Sequence, residues 1–183
     1  QCQQSLNNGY RDREIFDTQS ESYLKTGKIS EAIDTLCLAV RHYENDIFFR
    51  SKLASLFKSV GSLEKALEQL DLAIAISAKN PSLYFNRANT NKALGQVEKA
   101  RRDFREARSL DPKLTRAWLN QGVCEFLLGQ RREAEACFLK CVNATESGTV
   151  LRSLQNLASV YLQSGELGKA LDFAERALHR DQH

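Results

Sequence analysis

Apolar residues recur three and four apart along most of the chain, the spacing that gathers them on one side of an α-helix. The phase of this pattern restarts about every 34 residues, and small residues mark the restarts. Ala32, Ala66, Ala100, Ala134 and Ala170 form one series; Ala39, Ala73, Ala107, Cys141 and Ala177 follow seven residues later. Leu36, Leu70, Phe104 and Phe138 stand between them, four after the alanine. Another small series, Ser20, Ala54, Ala88, Gly122 and Ala158, lies earlier in each block. The pattern predicts pairs of amphipathic helices. Small side chains sit where the two helices of a pair cross closely, and the larger ones fill the space between successive pairs.

Glycines set the register. Gly27, Gly61, Gly95 and Gly129 stand 34 residues apart, and Gly165 follows 36 after the last. Each follows a stretch of about 14 helical residues and is expected to close it in the left-handed conformation. A second helix then starts within two or three residues, with Ser30 and Ser62 as N-caps in the first two blocks. Only two prolines interrupt the whole length.

The residues at these positions resemble the tetratricopeptide repeat, whose pattern is W-x2-L-G-x2-Y, then A-x3-F, then P over 34 residues. The fourth block carries Trp118, Gly122, Ala134 and Phe138; the third carries Tyr84, Ala88, Ala100, Phe104 and Pro112; the fifth carries Leu157, Ala158, Tyr161 and Ala170. Gln121 and Glu125 depart from the usual Leu and Tyr, and Arg108 takes a position that is usually aliphatic. The first helix of block one is the weakest match, anchored by Phe16 and Tyr23. The blocks run 13–46, 47–80, 81–114, 115–148 and 151–183 as one array. Residues 1–12 form an N-terminal extension, and Thr149 and Val150 lengthen the fourth turn. The resemblance implies an all-α fold, a right-handed α-solenoid of about five helical hairpins, with the first helix of each lining the concave side.

Composition agrees with a folded helical chain: 42% hydrophobic and 27% charged. No apolar run approaches the roughly 18 residues that span a bilayer. Cys2, Cys37, Cys124, Cys137 and Cys141 are an odd number, with neither CxxC nor zinc-ligand spacing. They read as small buried hydrophobes in a reducing, cytoplasmic setting, with periplasmic or membrane-anchored placement left open. Gln1 before Cys2 is not the small residue that a lipoprotein processing site needs. Leu171 and Leu178 stand on the last helix with no polar capping helix after them. The chain is therefore expected to be a piece of a longer protein, or to meet a partner or another copy at that end.

No P-loop, GxGxxG, HExxH or GxSxG occurs, and His42, His179 and His183 are scattered, so no enzyme activity, cofactor, metal or small-molecule substrate is expected. The better candidate is the groove. The sixth residue of each block gives Thr18, Lys52, Asn86, Asn120 and Asn156. Three successive asparagines form a ladder that both donates and accepts, suited to a peptide backbone. Asn89, Lys92, Arg116 and Arg152 surround it, and the arginines suit carboxylates. The family's carboxylate clamp is matched in part, by Asn89, Asn120 and Arg152, while Phe85 and Asn156 replace cations. The expected partner is therefore another protein, presenting a peptide segment or helix; the arginines suit an acidic one. The expected role is an interaction scaffold or adaptor. Alternatives are the regulatory or substrate-recruiting region of a larger enzyme and a bacterial envelope-assembly lipoprotein scaffold.

Charge is uneven. Block one has seven acidic and four basic residues; block three has eight basic and four acidic. Arg101, Arg102, Arg105 and Arg108 on one second helix form a candidate convex basic patch. A net charge of only +3, with no aromatic stacking set beside the patch, argues against dedicated nucleic-acid binding.

Overall fold

A computed structural model describes residues 2–181 of the chain, and side chains over residues 12–180. Two compact units divide it, residues 1–78 and 79–183. The first contains α1 (Cys2–Lys25), α2 (Ile29–His42), α3 (Ile47–Ser59) and α4 (Leu63–Ile76). The second contains α5 (Pro81–Ala93), α6 (Val97–Leu110), α7 (Thr115–Leu127), α8 (Arg131–Leu139), α9 (Ser147–Gln163) and α10 (Leu167–Asp181). Among the described residues there is no strand, and no helix is long and apolar enough to cross a membrane. Residues 2–12 lie within α1.

Each hairpin closes in the same way. The turn glycines have φ between 72° and 77° at Gly27, Gly61, Gly95, Gly129 and Gly165, and no other described residue has a positive φ. At Gly95 its own N–H reaches the Lys92 carbonyl at 3.0 Å and the Gln96 N–H reaches the Asn91 carbonyl at 2.9 Å. This is the Schellman pair of bonds, which satisfies carbonyls that the helix end leaves open. Nothing lies within 4 Å of a Cβ built on Gly95, so space is not the constraint there. Gly95→Ala is expected to cost about 1–2 kcal/mol through the left-handed backbone alone. Chemical denaturation measures it, and an unchanged midpoint would contradict the argument.

The small residues do what their spacing requires. Ala32, Ala39, Ala66, Ala73, Ala100, Ala107, Ala134 and Cys141 are fully buried. Leu36, Leu70, Phe104 and Phe138 are buried beside them. In the first unit Phe49 is the centre, with Tyr43 stacked on it at 5.8 Å and Phe16 edge-on at 6.4 Å. In the second unit, Ala88, Ala100, Phe104 and Cys124 form one cluster. A larger cluster gathers Leu119, Phe138, Val150, Leu154, Leu157 and Tyr161.

Two local expectations change. Ser30 lies inside α2, whose N-cap is Lys28; Ser62 is the N-cap of α4, but its hydroxyl makes no capping bond. The glycine turn starts the second helix so tightly that no cap is needed to set its start. Side-chain caps occur instead on first helices: Asp46 accepts from the Phe48 N–H at 2.9 Å and Asn80 from the Ser82 N–H at 3.0 Å. Thr149 and Val150 are not turn residues. Both are buried in the first turn of α9, while α8 stops after nine residues.

Candidate functional site

Three first helices of the second unit, α5, α7 and α9, carry most of the residues expected in a groove. The Lys92 ammonium, at the end of α5, donates to Asn120 Oδ1 on α7 at 2.6 Å. The Asn120 amide nitrogen donates to the Arg116 carbonyl at 2.9 Å. Asn120 thus has its carbonyl and one N–H engaged, which leaves one N–H. Asn89 is turned onto its own helix, donating to the Phe85 carbonyl at 2.9 Å. Asn86 and Asn156 are half-buried on α5 and α9.

Lys92 is the electrostatic centre of this face. Its pKa lies below the ordinary lysine value because burial disfavours the ammonium; Arg152 on α9 adds to the fall and Cys124 opposes it. Arg152 on α9 thus adds a repulsive charge at Lys92, whose hydrogen bond to Asn120 links α5 to α7. Among the described residues no carboxylate forms an ion pair with Lys92 or Arg152. Arg116 is more committed. It lies over the Phe85 ring at 5.7 Å and faces Glu146 at 3.7 Å, with more than half of its side chain exposed.

Lys52 belongs to the first unit and is occupied. It bonds Asp17 and lies 3.0 Å from Glu21, both on α1.

The arginines of α6 take a different part from the expected convex patch. Glu125 on α7 is buried to 1% exposure. Arg101 donates to its Oε2 at 3.3 Å and Arg105 lies 3.6 Å from its Oε1. Gln121 donates to Glu125 at 3.0 Å and accepts from Arg108 Nε at 2.6 Å. The Arg108 guanidinium also covers the Trp118 ring at 3.9 Å. These arginines hold α6 against α7. A carboxylate so deeply buried needs paired cations and hydrogen bonds. Of the four, Arg102 and Arg105 remain exposed, and Arg105 is already directed at Glu125. The clue lay in the departures Gln121, Glu125 and Arg108, which compensate one another across the helix pair.

Three thiols, those of Cys124, Cys137 and Cys141, are buried. Burial pushes Cys124 and Cys137 up to about 11 and raises Cys141 as well. Such thiols stay protonated near neutral pH and make poor nucleophiles or ligands. Cys37 is half-buried. Cys2 and His183 lie outside the described side chains.

Two tetratricopeptide repeat models match the chain, one over residues 81–114 and the other over 113–182, together more than half its length. The chain belongs to the tetratricopeptide repeat family. No curated protein matches it in sequence. Solved structures match it in fold. MamA (residue 41 to the end) from Desulfovibrio magneticus RS-1 is 15% identical over 93% of this chain and 95% of that one, with a TM-score of 0.84. PilW, a widely conserved type IV pilus biogenesis factor, is 19% identical over 93% and 78%, with a TM-score of 0.78. YrrB, a tetratricopeptide protein with an unusual peptide-binding site, is 15% identical over 97% and 91%, with a TM-score of 0.77. At these identities the matches show the fold, an all-α array of tetratricopeptide hairpins in the α-solenoid class. Tetratricopeptide chains serve as protein–protein interaction scaffolds and are generally non-enzymatic.

Proposed function

We propose that the face made by α5, α7 and α9 grips an extended segment of another protein that carries acidic side chains. The observation behind this reading is Lys92. A half-buried ammonium that feels a second cation, held by Asn120 and the Phe104 ring face at 5.8 Å but paired with no carboxylate, gains from an incoming carboxylate. Asn120 positions that ammonium, while Asn86, Asn156 and the remaining Asn120 N–H offer contacts to a peptide backbone. The tetratricopeptide fold supplies the precedent in YrrB, whose peptide-binding site is a property of that protein.

The sign of the pH effect follows from the lowered Lys92 pKa. A bound carboxylate raises it, so the complex holds a proton that the free protein has released wherever the pH lies between the two values. Binding then takes up protons, and affinity falls as pH rises through that window. Calorimetry of an Asp- and Glu-rich peptide in two buffers of different ionisation enthalpy measures the uptake. Lys92→Met and Arg152→Gln are each expected to weaken that peptide by about tenfold or more, the usual worth of a charge-assisted hydrogen bond. Selection from a peptide array with no enrichment of Asp or Glu, or full affinity in Lys92→Met, would defeat the proposal.

A further inference from the structure

Leu154 holds the position in its hairpin that Tyr84 and Trp118 hold in the two before it. At Trp118 that position is filled completely enough to matter. The indole N–H donates to the Pro112 carbonyl at 3.4 Å and the ring lies beneath the Arg108 guanidinium at 3.9 Å. The ring closes the corner between one hairpin and the next.

The following corner lacks both partners. Leu154 replaces the aromatic ring, and Val142, 34 residues after Arg108, replaces the arginine. The preceding helix is also short. α8 has 9 residues, where α2, α4 and α6 each have 14. What remains is a cleft of about 570 Å³. Val142, Val150 and Leu154 line its apolar side; Arg176, His179 and Arg180, from the end of α10, line the other. Cations in the last turn suit the negative end of a helix dipole. The dipole does not explain the cleft beneath them, whose floor is the edge of the core, with Val150 and Leu154 buried and Val142 half-buried.

Arg176 is already oriented, paired with Asp172 at 3.6 Å and resting over the Phe173 ring at 4.8 Å. Glu146, the nearest acidic residue in the α8–α9 connection, is turned to Thr149 and Arg116. Among the described side chains no carboxylate pairs with His179 or Arg180. The volume falls within the range of ordinary ligand pockets, which are mostly apolar with a few placed polar groups.

We infer that this cleft binds an aromatic ring that carries a carboxylate. The ring takes the place that Trp118 fills one hairpin earlier, and the carboxylate meets the cations of α10. Two sources share this chemistry: the free C-terminal aromatic residue of a protein, and a small aromatic acid.

The test is an amide-resolved NMR titration of the full ¹⁵N-labelled chain. The probes are N-acetyltryptophan, the peptide Gly-Gly-Trp with a free carboxylate, and the C-terminal amides of both. Saturable shifts at Val150, Leu154 and His179 with the acids, weakened by about tenfold in the amides, are expected. A tripeptide that binds more tightly than N-acetyltryptophan identifies a chain terminus as the source; equal affinity identifies the small acid. Leu154→Trp, checked for folding by its thermal midpoint, is expected to abolish the shifts, since Trp118 occupies this position one hairpin earlier. Arg180→Gln is expected to weaken the acids and leave the amides unchanged. Absence of saturable shifts up to about 10 mM, equal binding of acids and amides, or full binding by Leu154→Trp overturns the inference.

Discussion

Replacing Arg101 and Arg105 together with methionine is expected to lower stability by roughly 3 kcal/mol, the cost of stranding a buried carboxylate. Glu125 is 1% exposed and would keep only the Gln121 amide as a donor from the present network. The single changes should be unequal. Arg105 is 57% exposed at its side chain and 3.6 Å from Glu125, so its replacement alone should cost under about 1 kcal/mol. Arg101 is 23% exposed at its side chain and bonds both Glu125 and Gln130, so its loss should cost more. The network is not fully satisfied, for Arg101 Nε is buried without a hydrogen-bond partner. Replacing the whole set with the family's apolar choices should therefore restore stability. A variant carrying Gln121→Leu, Glu125→Tyr, Arg108→Leu and the two methionines is expected to match or exceed the parent, as apolar replacements of buried ion pairs often do. Urea denaturation compares them. A double methionine variant with the parent's midpoint would show that these arginines do not hold Glu125.

Phe138→Ala is expected to cost about 3–5 kcal/mol, the usual penalty for emptying a fully buried phenylalanine site. The ring is fully buried in the larger cluster of the second unit. It also explains Gly122. A Cβ at residue 122 would lie 2.6 Å from Phe138 Cε1 and 3.1 Å from Cys137 Cβ. Gly122→Ala should therefore destabilise the parent by about 1–3 kcal/mol through overpacking, despite the gain of about 1 kcal/mol in helix propensity. In a Phe138→Leu background the added methyl has room, and the same change should become neutral or stabilising. The double-mutant cycle reads this as a coupling of about 1–2 kcal/mol. Additive effects would mean that the contact is relieved by movement elsewhere.

Much of this architecture is legible in the sequence because each hairpin needs two things in fixed places. One is a residue able to take positive φ; the other is a set of small side chains where helices cross. Gly95 and Ala100 state those needs locally. The candidate face was legible only as a stripe. Spacing places Lys52 and Lys92 on first helices alike, but it does not show that Asp17 and Glu21 already neutralise one and that nothing comparable pairs with the other. The arginines of α6 misled for the same reason. Their regular spacing looks like an exposed basic patch, whereas the carboxylate that claims two of them lies on the next helix, 24 residues from Arg101. Thr149 and Val150 read as a lengthening of the fourth turn, which hid the extra turn of α9 that buries them both. The cleft beside Leu154 left a readable trace as well, in a missing aromatic and a 36-residue step, but only packing reveals the space that remains.

The glycine turns also bear on how such a chain changes length. The bonds that close a hairpin join residues no more than five apart, as between Gln96 and Asn91 or Gln130 and Glu125. A turn therefore needs nothing from distant sequence. Duplication or deletion of a 34-residue segment rejoins identical turns and leaves every helix in phase with its neighbours. A segment of different length brings a shift that a connection or a helix end must take up if the apolar stripes are to stay in phase, as Ala170 and Ala177 do. The 36-residue step before Gly165 shows what such a shift entails: one helix shortened, the next lengthened, and a hollow left at their junction.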